Sequence, residues 1–472
     1  MVSYLLSRRT KILCTLGPAS SSLKTIRAMA EAGMDAVRLN FSHGDHASHE
    51  ALIQRVRKVA RVMGRNIPII QDLQGPRFRV GTLKQGRLEL KRGMEVTIAG
   101  RKGTRGDIPV RPDLGFAGVR VGHHVSIGDL GIRLRVKSAG RWRLRCRVVK
   151  GGTVHEGKGI VFPQSKAALP AITDKDIHDL EFGKRMGVAL VALSFVRSAS
   201  DVAALRRRIG KHDIGVVSKI ETREALKDID AIIDESDAVL VARGDLASEV
   251  SISRLPVVQK LLIEKCNRKA KPAITATQML ESMISNPQPT RAEASDVANA
   301  VLDGSDTLML SGETAAGDYP VAATRMMASI IKRTEEAHAR SYMKKTPPME
   351  PEPQVDETIA YLAASAAGRL GAKAVITFTM TGSTARRVAK FRPDVPIFAV
   401  SPSESTRMRL GISHGVICGA IGRTRGTDEM IEAAIASAVS GGIVSKGDVV
   451  VVTAGVPPLT EGTTNLLKIE VV

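Results

Sequence analysis

Three short clusters, Lys219-Ile220-Glu221, Arg243-Gly244-Asp245 and Ala276-Thr277-Gln278, hold the side chains best suited to chemistry. Each closes an apolar run: GVVSKIE, AVLVARGD and KPAITATQ. An apolar run that ends in polar residues and leads into a helical pattern reads as a buried parallel strand with its C-terminal end exposed. Three such ends place a lysine, two carboxylates and a threonine on one rim, as a parallel α/β barrel does. Lys219 precedes Glu221 by two residues, so both project to the same side of an extended segment. There its ammonium can stabilise an anion that develops during reaction. A Schiff base is the other use of such a lysine, and a carboxylate two residues away works against it. Glu221 and Asp245 are hard oxygen ligands that suit Mg2+ completed by water and substrate.

The elements needed to position these groups are visible as eight strand-like runs, at 11–17, 36–41, 68–73, 188–195, 215–220, 238–244, 271–277 and 307–313. Helical patterns follow most of them, among them 23–33, 199–210 and 221–233. Eight βα units predict a (β/α)8 barrel over residues 1–75 and 165–342. The stretch 76–164, between the third strand and the helical pattern at 174–186, differs in character. GRLELKRGMEVTIAG, HHVSIGD, IRLRVKSAG and RWRLRCRVV alternate apolar with polar residues and carry glycine turns. This predicts a small β-barrel inserted at the top of the main barrel, placed to act as a lid. MKKTPPMEPEPQ (343–354) reads as a proline-rich linker. Beyond it, helix and strand patterns alternate to residue 472, which predicts a doubly wound α/β domain over 355–472.

Composition narrows the class. Hydrophobic content of 43% with 25% charged residues is that of a soluble globular chain. Cys14, Cys146, Cys266 and Cys418 lie far apart without metal-ligand spacing, which suits a reducing cytosol. No secretory signal is recognisable, and no run approaches the roughly 20 apolar residues of a membrane span; a cytoplasmic location is expected. The net charge of +21 is concentrated: between Pro76 and Gln164, twenty basic residues face six acidic ones. Such a segment attracts polyanions, whether nucleic acid or nucleotide phosphates.

The segments RRTKILCTLGPAS, AVRLNFSHG, SKIE, VARGDL, KPAITATQMLESM, PTRAEASDVANAVLDGSDTLMLSGETA and GDVVVVTAGVP…GTTNLLKIEVV resemble the signatures of pyruvate kinases, in family order over nearly the whole chain. The resemblance implies transfer of phosphate between phosphoenolpyruvate and ADP, yielding pyruvate and ATP in glycolysis, with Mg2+ (or Mn2+) and commonly a homotetramer. Carried over residue by residue, it makes Arg38 a phosphate-binding arginine, a role that suits a bidentate guanidinium. Lys219 becomes the charge-stabilising lysine, and Glu221 with Asp245 the Mg2+ ligands. Backbone N–H groups around Gly244 and Asp245 can hold the substrate carboxylate where a helix opens. Thr277 helps hold that carboxylate and lies near the carbon that gains a proton. Asn40 and His43 match nucleotide-contacting positions, and in the lid Arg79 and Lys158 match basic residues for the nucleotide phosphates.

Two departures from the family pattern carry meaning. Many members hold K+ with groups matching Asn40, Ser42, Asp72 and the backbone of Leu73, and read Asp-Thr-Lys-Gly-Pro-Glu. This chain reads Asp72-Leu73-Gln74-Gly75-Pro76-Arg77. A base replaces the acid, resembling the K+-independent branch, so K+ is expected not to be required, with Arg77 supplying the positive charge. In the last domain Thr379-Met380-Thr381-Gly382-Ser383-Thr384 resembles the sugar-phosphate effector loop, with Ser383 in place of an arginine found in some fructose-bisphosphate-regulated members. A possible sugar-phosphate effector is therefore expected.

Two rival readings are weaker. A metal-dependent lyase or aldolase on a barrel would also use a carboxylate-bound Mg2+, yet needs neither a lid insert nor Arg79 and Lys158. A nucleic-acid-binding protein is suggested by charge alone, and the lid's Phe78, Phe116, Trp142 and Phe162 are few for a base-stacking platform.

Overall fold

Eight of the apolar runs form a closed parallel barrel: Lys11–Leu16, Ala36–Asn40, Ile69–Asp72, Leu190–Leu193, Gly215–Ile220, Ala238–Ala242, Ala273–Ala276 and Thr307–Leu310. The computed structural model describes residues 8–113, 115–128, 131–162, 170–339, 350–422, 426–456 and 464–472. Each strand pairs with the next in sequence and the last with the first. Small and branched side chains such as Leu13, Ala36, Ile70, Ala192, Val217, Leu240 and Ile274, with the unbranched Met309, fill the interior. A second apolar layer joins the outer strand faces to the helices. Burial on both faces is why these strands read as continuous apolar runs. The register aligns the functional ends: Thr15 lies opposite Arg38, Asn40 opposite Asp72, and Ala242 opposite Ala276.

The pattern at 221–233 yields two helices, Arg223–Lys227 and Ile229–Glu235, rather than one. Asp228 between them accepts a hydrogen bond from Ala199 N at 2.8 Å, capping a neighbouring helix instead of continuing its own.

Between the third and fourth barrel strands the chain leaves to build the lid. Its seven-stranded sheet runs in the order Ile160–Val161, His124–Ile127, Ile132–Ala139, Arg143–Lys150, Glu95–Ala99, Ile108–Arg111, Arg79–Val80. The two edge strands then meet: Arg79 bridges Gly159, Val80 N donates to Lys158 O at 2.8 Å, and Ile160 N donates to Phe78 O at 2.9 Å. Closure gives the small β-barrel a core of its own, including Val96, Ile98, Leu134, Val136, Leu144 and Cys146. A separate ribbon pairs Arg87–Leu90 with Gly152–His155.

The linker reading at 343–354 falls outside the described residues as far as 349. From 350 onward, four parallel strands (Ala374–Phe378, Ile397–Ser401, Val416–Ala420 and Val449–Gly455) and an antiparallel edge, Thr464–Val471, form a five-stranded sheet. This domain seals the bottom of the main barrel. Ile412 joins the barrel's interior cluster, and its carbonyl accepts from Thr307 Oγ1 at 2.7 Å. Arg392 pairs with Asp306 at 3.1 Å beside it. The opposite, C-terminal rim is left open to the lid.

Candidate active site

At the open rim, Lys219 is the centre of a buried ionic network. Its Nζ donates to Ser194 Oγ at 2.7 Å and lies 3.0 Å from Glu221 Oε1 and 3.3 Å from Asp72 Oδ1. Arg38 Nε donates to the other oxygen of Asp72 at 2.6 Å, and Arg38 Nη1 to Thr15 Oγ1 at 3.1 Å. Asp72 and Glu221 are 1% and 2% exposed, so water does little to screen these contacts. Burial opposes the charge on Asp72, but Lys219 and Arg38 overcome it and hold its pKa below the usual carboxylate value. Burial likewise opposes the Lys219 ammonium, and Asp72 and Glu221 outweigh it, raising that pKa. Glu221 is pushed up, chiefly by burial; Lys219 counteracts, while Asp245 and Asp72 add repulsion. Its second oxygen accepts from Phe195 N at 2.7 Å.

Asp245 belongs to the short helix Arg243–Glu249, which begins directly at the end of the sixth strand. Across the cleft, Arg77 Nη2 of the lid lies 3.3 Å from Asp245 Oδ1, and the guanidinium stands over the Phe195 ring. Gly244 permits a close approach here, since a Cβ at that position would come within 2.8 Å of Thr277 Cγ2. Thr277 and Gln278 both have positive φ, +76° and +55°. For a β-branched residue that backbone is strained, and strain persists only where the surroundings enforce it. Arg243 does the enforcing. It points away from the cleft, donates to the carbonyls of Ala276, Thr277 and Gln278, and is itself anchored by Asp296.

The remaining expected residues are spread around this centre. Asn40 Oδ1 accepts from Ser42 N at 3.1 Å, and His43, exposed, lends its carbonyl to His49. Leu73 O already accepts from Ser194 Oγ at 2.8 Å. Arg77 directs its charge at Asp245 rather than at Asn40, Ser42 or Asp72. Arg79 Nη1 donates to Gly157 O at 2.9 Å, and burial together with neighbouring Arg77 lowers its pKa. Exposed Lys158 is on the chain paired with Val80. In the last domain, Thr379 Oγ1 accepts from Gly382 N, and Thr384 is paired with Thr464. Both threonines are buried, which leaves Thr381 and Ser383, 3.3 Å apart, as the accessible hydroxyls of that loop.

Three supporting residues escaped the sequence reading. Ser194 ends a strand run with only its hydroxyl to mark it, Arg243 looks like part of the functional triplet, and Asp176 is distant in sequence. Asp176 Oδ1 accepts from Gly75 N at 3.0 Å. There the chain turns out of the barrel, at φ +68° and with no room for a Cβ against Ser194.

The chain is similar to known proteins along nearly its whole length. The family model for the pyruvate kinase barrel domain matches residues 7–324, and that for the pyruvate kinase alpha/beta domain matches 357–470. A pyruvate kinase of Geobacillus stearothermophilus is 43% identical over 99% of this chain and 81% of its own length. One of Clostridium acetobutylicum is 42% identical over 98% of this chain and all of its own. The crystal structure of a pyruvate kinase from Cryptosporidium parvum superposes with a TM-score of 0.90 at 35% identity, covering 100% of this chain and 97% of the other.

Proposed function

The chain belongs to the pyruvate kinase family, and from that premise we propose how its own residues carry phosphoryl transfer from phosphoenolpyruvate to ADP. The observation that carries the reading is Lys219 Nζ, held by Ser194, Asp72 and Glu221 at the mouth of the barrel beside Arg38. Phosphoryl transfer makes few covalent demands on the protein; it needs charge neutralised and the reactants aligned. Arg38 is fixed by Asp72 and Thr15, so its guanidinium can present a pre-set fork to phosphoryl oxygens. Lys219 reaches the phosphoryl group and the enolate oxygen left when it departs. Because Asp72 and Glu221 favour its charged form, it is an electrostatic stabiliser rather than a base or a Schiff-base amine.

Backbone N–H groups at Gly244 and Asp245 orient the substrate carboxylate. Thr277, locked by Arg243, places a hydroxyl or a water it orders where the enolate carbon gains its proton. Glu221 and Asp245 are the residues that would hold Mg2+: two hard carboxylates, one of them raised in pKa by burial and by its acidic neighbours. Bound there, the ion would supply positive charge to the phosphoryl and enolate oxygens. The lid contributes Arg79 and Lys158 to the ADP phosphates, with Asn40 and His43 below them. Independence from K+ is part of the proposal, on the ground that Asp72 already pairs with two cations, Arg38 and Lys219. A homotetramer and a phosphate effector at Thr381 and Ser383 remain expectations of family likeness.

A coupled assay with phosphoenolpyruvate, ADP and Mg2+, with and without K+, tests the reading. Turnover that does not respond to Mg2+ would overturn the metal assignment, and a Lys219→Met enzyme keeping more than about a tenth of wild-type turnover would overturn that of the lysine.

A further inference from the structure

The basic excess of the lid is a built surface rather than scattered charge. Strands Ile132–Ala139 and Arg143–Lys150 are hydrogen-bonded neighbours, and both alternate buried apolar with exposed basic residues. Leu134, Val136, Leu144, Cys146 and Val148 face the lid core. Arg133, Arg135, Lys137, Arg143, Arg145, Arg147 and Lys150 face out, and neither strand contains an acid. Arg135 lies directly opposite Arg147, and Arg133 opposite Lys150. Like charges directly opposite each other destabilise a sheet. A surface selected only for solubility would intersperse the two signs. The one acid on the adjoining strand, Glu95, pairs with Arg145 at 2.8 Å, and both are more than half exposed.

Topology sets this face apart from the active site. In the closed lid barrel, strand Arg79–Val80 overlooks the cleft, and the two basic strands lie three steps from it in either direction around the sheet. They occupy the far wall, so they do not touch an ADP held under Arg79.

The shape and chemistry of the face select its partner. Exposed residues recur about every 6.7 Å along each strand, on strands about 4.8 Å apart, giving a dense array of cations on a convex wall. Single-stranded nucleic acid is held by a basic groove together with aromatic side chains that stack its bases, and the aromatics here are otherwise engaged. Phe116 and Phe162 are buried in the lid core, Phe78 packs on it, and Trp142 has Arg101 and Arg141 over its ring. A stiff duplex meets a convex wall over a small area, whereas a flexible chain can drape across it. We propose that the outer face of strands 132–139 and 143–150 binds inorganic polyphosphate, a linear polyanion without bases, at a site separate from the catalytic cleft.

The test is fluorescence anisotropy of the full-length protein with end-labelled long-chain polyphosphate, in parallel with a labelled single-stranded oligonucleotide. Wild type is expected to bind polyphosphate more tightly than the oligonucleotide, with ADP failing to displace it. The triple variant R135E/R145E/R147E should weaken binding at least about tenfold and reduce the slope of log K against log salt by about 2, while turnover stays at the wild-type level. R135Q/R147Q, which merely neutralises the facing pair, provides a milder step in the same direction. Binding unchanged in both variants, displacement by ADP, or tighter binding of the oligonucleotide would each overturn the proposal.

Discussion

Arg77 and Asp245 stand 3.3 Å apart across the cleft, one from the lid and the other from the rim of the barrel. The contact ties lid position to the charge state of the centre, because Asp245 is also one of the two carboxylates assigned to Mg2+. Both side chains are about a quarter to a third exposed, so the pair is screened and exchangeable rather than a fixed strut. Released from Asp245, Arg77 would be free to turn toward the phosphates of the reactants.

Lys219→Met is expected to lower turnover by on the order of 100-fold or more, with phosphoenolpyruvate affinity largely kept. The lysine acts on charge that grows in the transition state, which affects kcat more than ground-state binding. Steady-state kinetics combined with calorimetric titration of phosphoenolpyruvate separates the two effects. A variant retaining more than about a tenth of wild-type turnover would remove Lys219 from this role.

Glu221→Ala should raise the Mg2+ concentration needed for half-maximal rate. Glu221→Asp should restore little, because the shorter side chain withdraws the oxygen by about one C–C bond from a rigid octahedral ion. Mg2+ titrations of the three enzymes check this, and an unchanged requirement in the alanine variant would exclude Glu221 as a ligand.

The barrel was legible because each of its strands is buried on both faces, so eight apolar runs and their polar ends survive in the sequence. Lys219, Glu221, Asp245 and Thr277 sit at such ends, and their gathering followed from the fold. The roles of Ser194 and Arg243 did not. Whether an arginine points into a cleft or behind it depends on partners such as Asp296, 53 residues away along the chain. The helix break at Asp228 was hidden for the same reason, since its cause is a backbone amide on another helix. The direction of Arg77 likewise required the closed lid, a tertiary fact that no local pattern records.

At the opposite end of the barrel, Asp35→Asn should destabilise the fold by about 3–5 kcal/mol at pH 7, since it leaves buried cations without their counter-charge. Arg8 Nη2 lies 2.6 Å from Asp35 and Arg65 3.5 Å, and Ile12 N donates to it at 2.8 Å. Burial opposes the charge, yet Arg8, Lys11 and Arg65 together hold the pKa of Asp35 below the usual carboxylate value. A depressed carboxylate pKa contributes stability that is present above the unfolded value and lost as pH falls through the folded one. Urea melts should therefore show the two proteins far apart at pH 7 and converging in acid, below about pH 3.8. A constant gap down to the acid limit would mean that packing rather than charge supplies the difference.

Activity is expected not to require K+. Asp72, which matches a K+-holding position of the family pattern, is already bonded to Arg38 and Lys219, while Arg77, where that pattern has glutamate, pairs with Asp245. Two unit charges 4 Å apart interact by about 4 kcal/mol at an effective dielectric near 20, enough to discourage a further cation between these groups. Arg77→Glu should consequently lower the rate in K+-free buffer and let added K+ recover part of it. The same substitution places an acid against Asp245, so the Mg2+ requirement of the variant should be measured alongside, to separate loss of the lid contact from gain of a K+ site. Tetramethylammonium serves as the ionic-strength control, because a chain of net charge +21 responds to salt in general. If wild type is inactive without K+ and is rescued by K+ but not by the control salt, the cation requirement is intact and Arg77 serves only to latch the lid to Asp245.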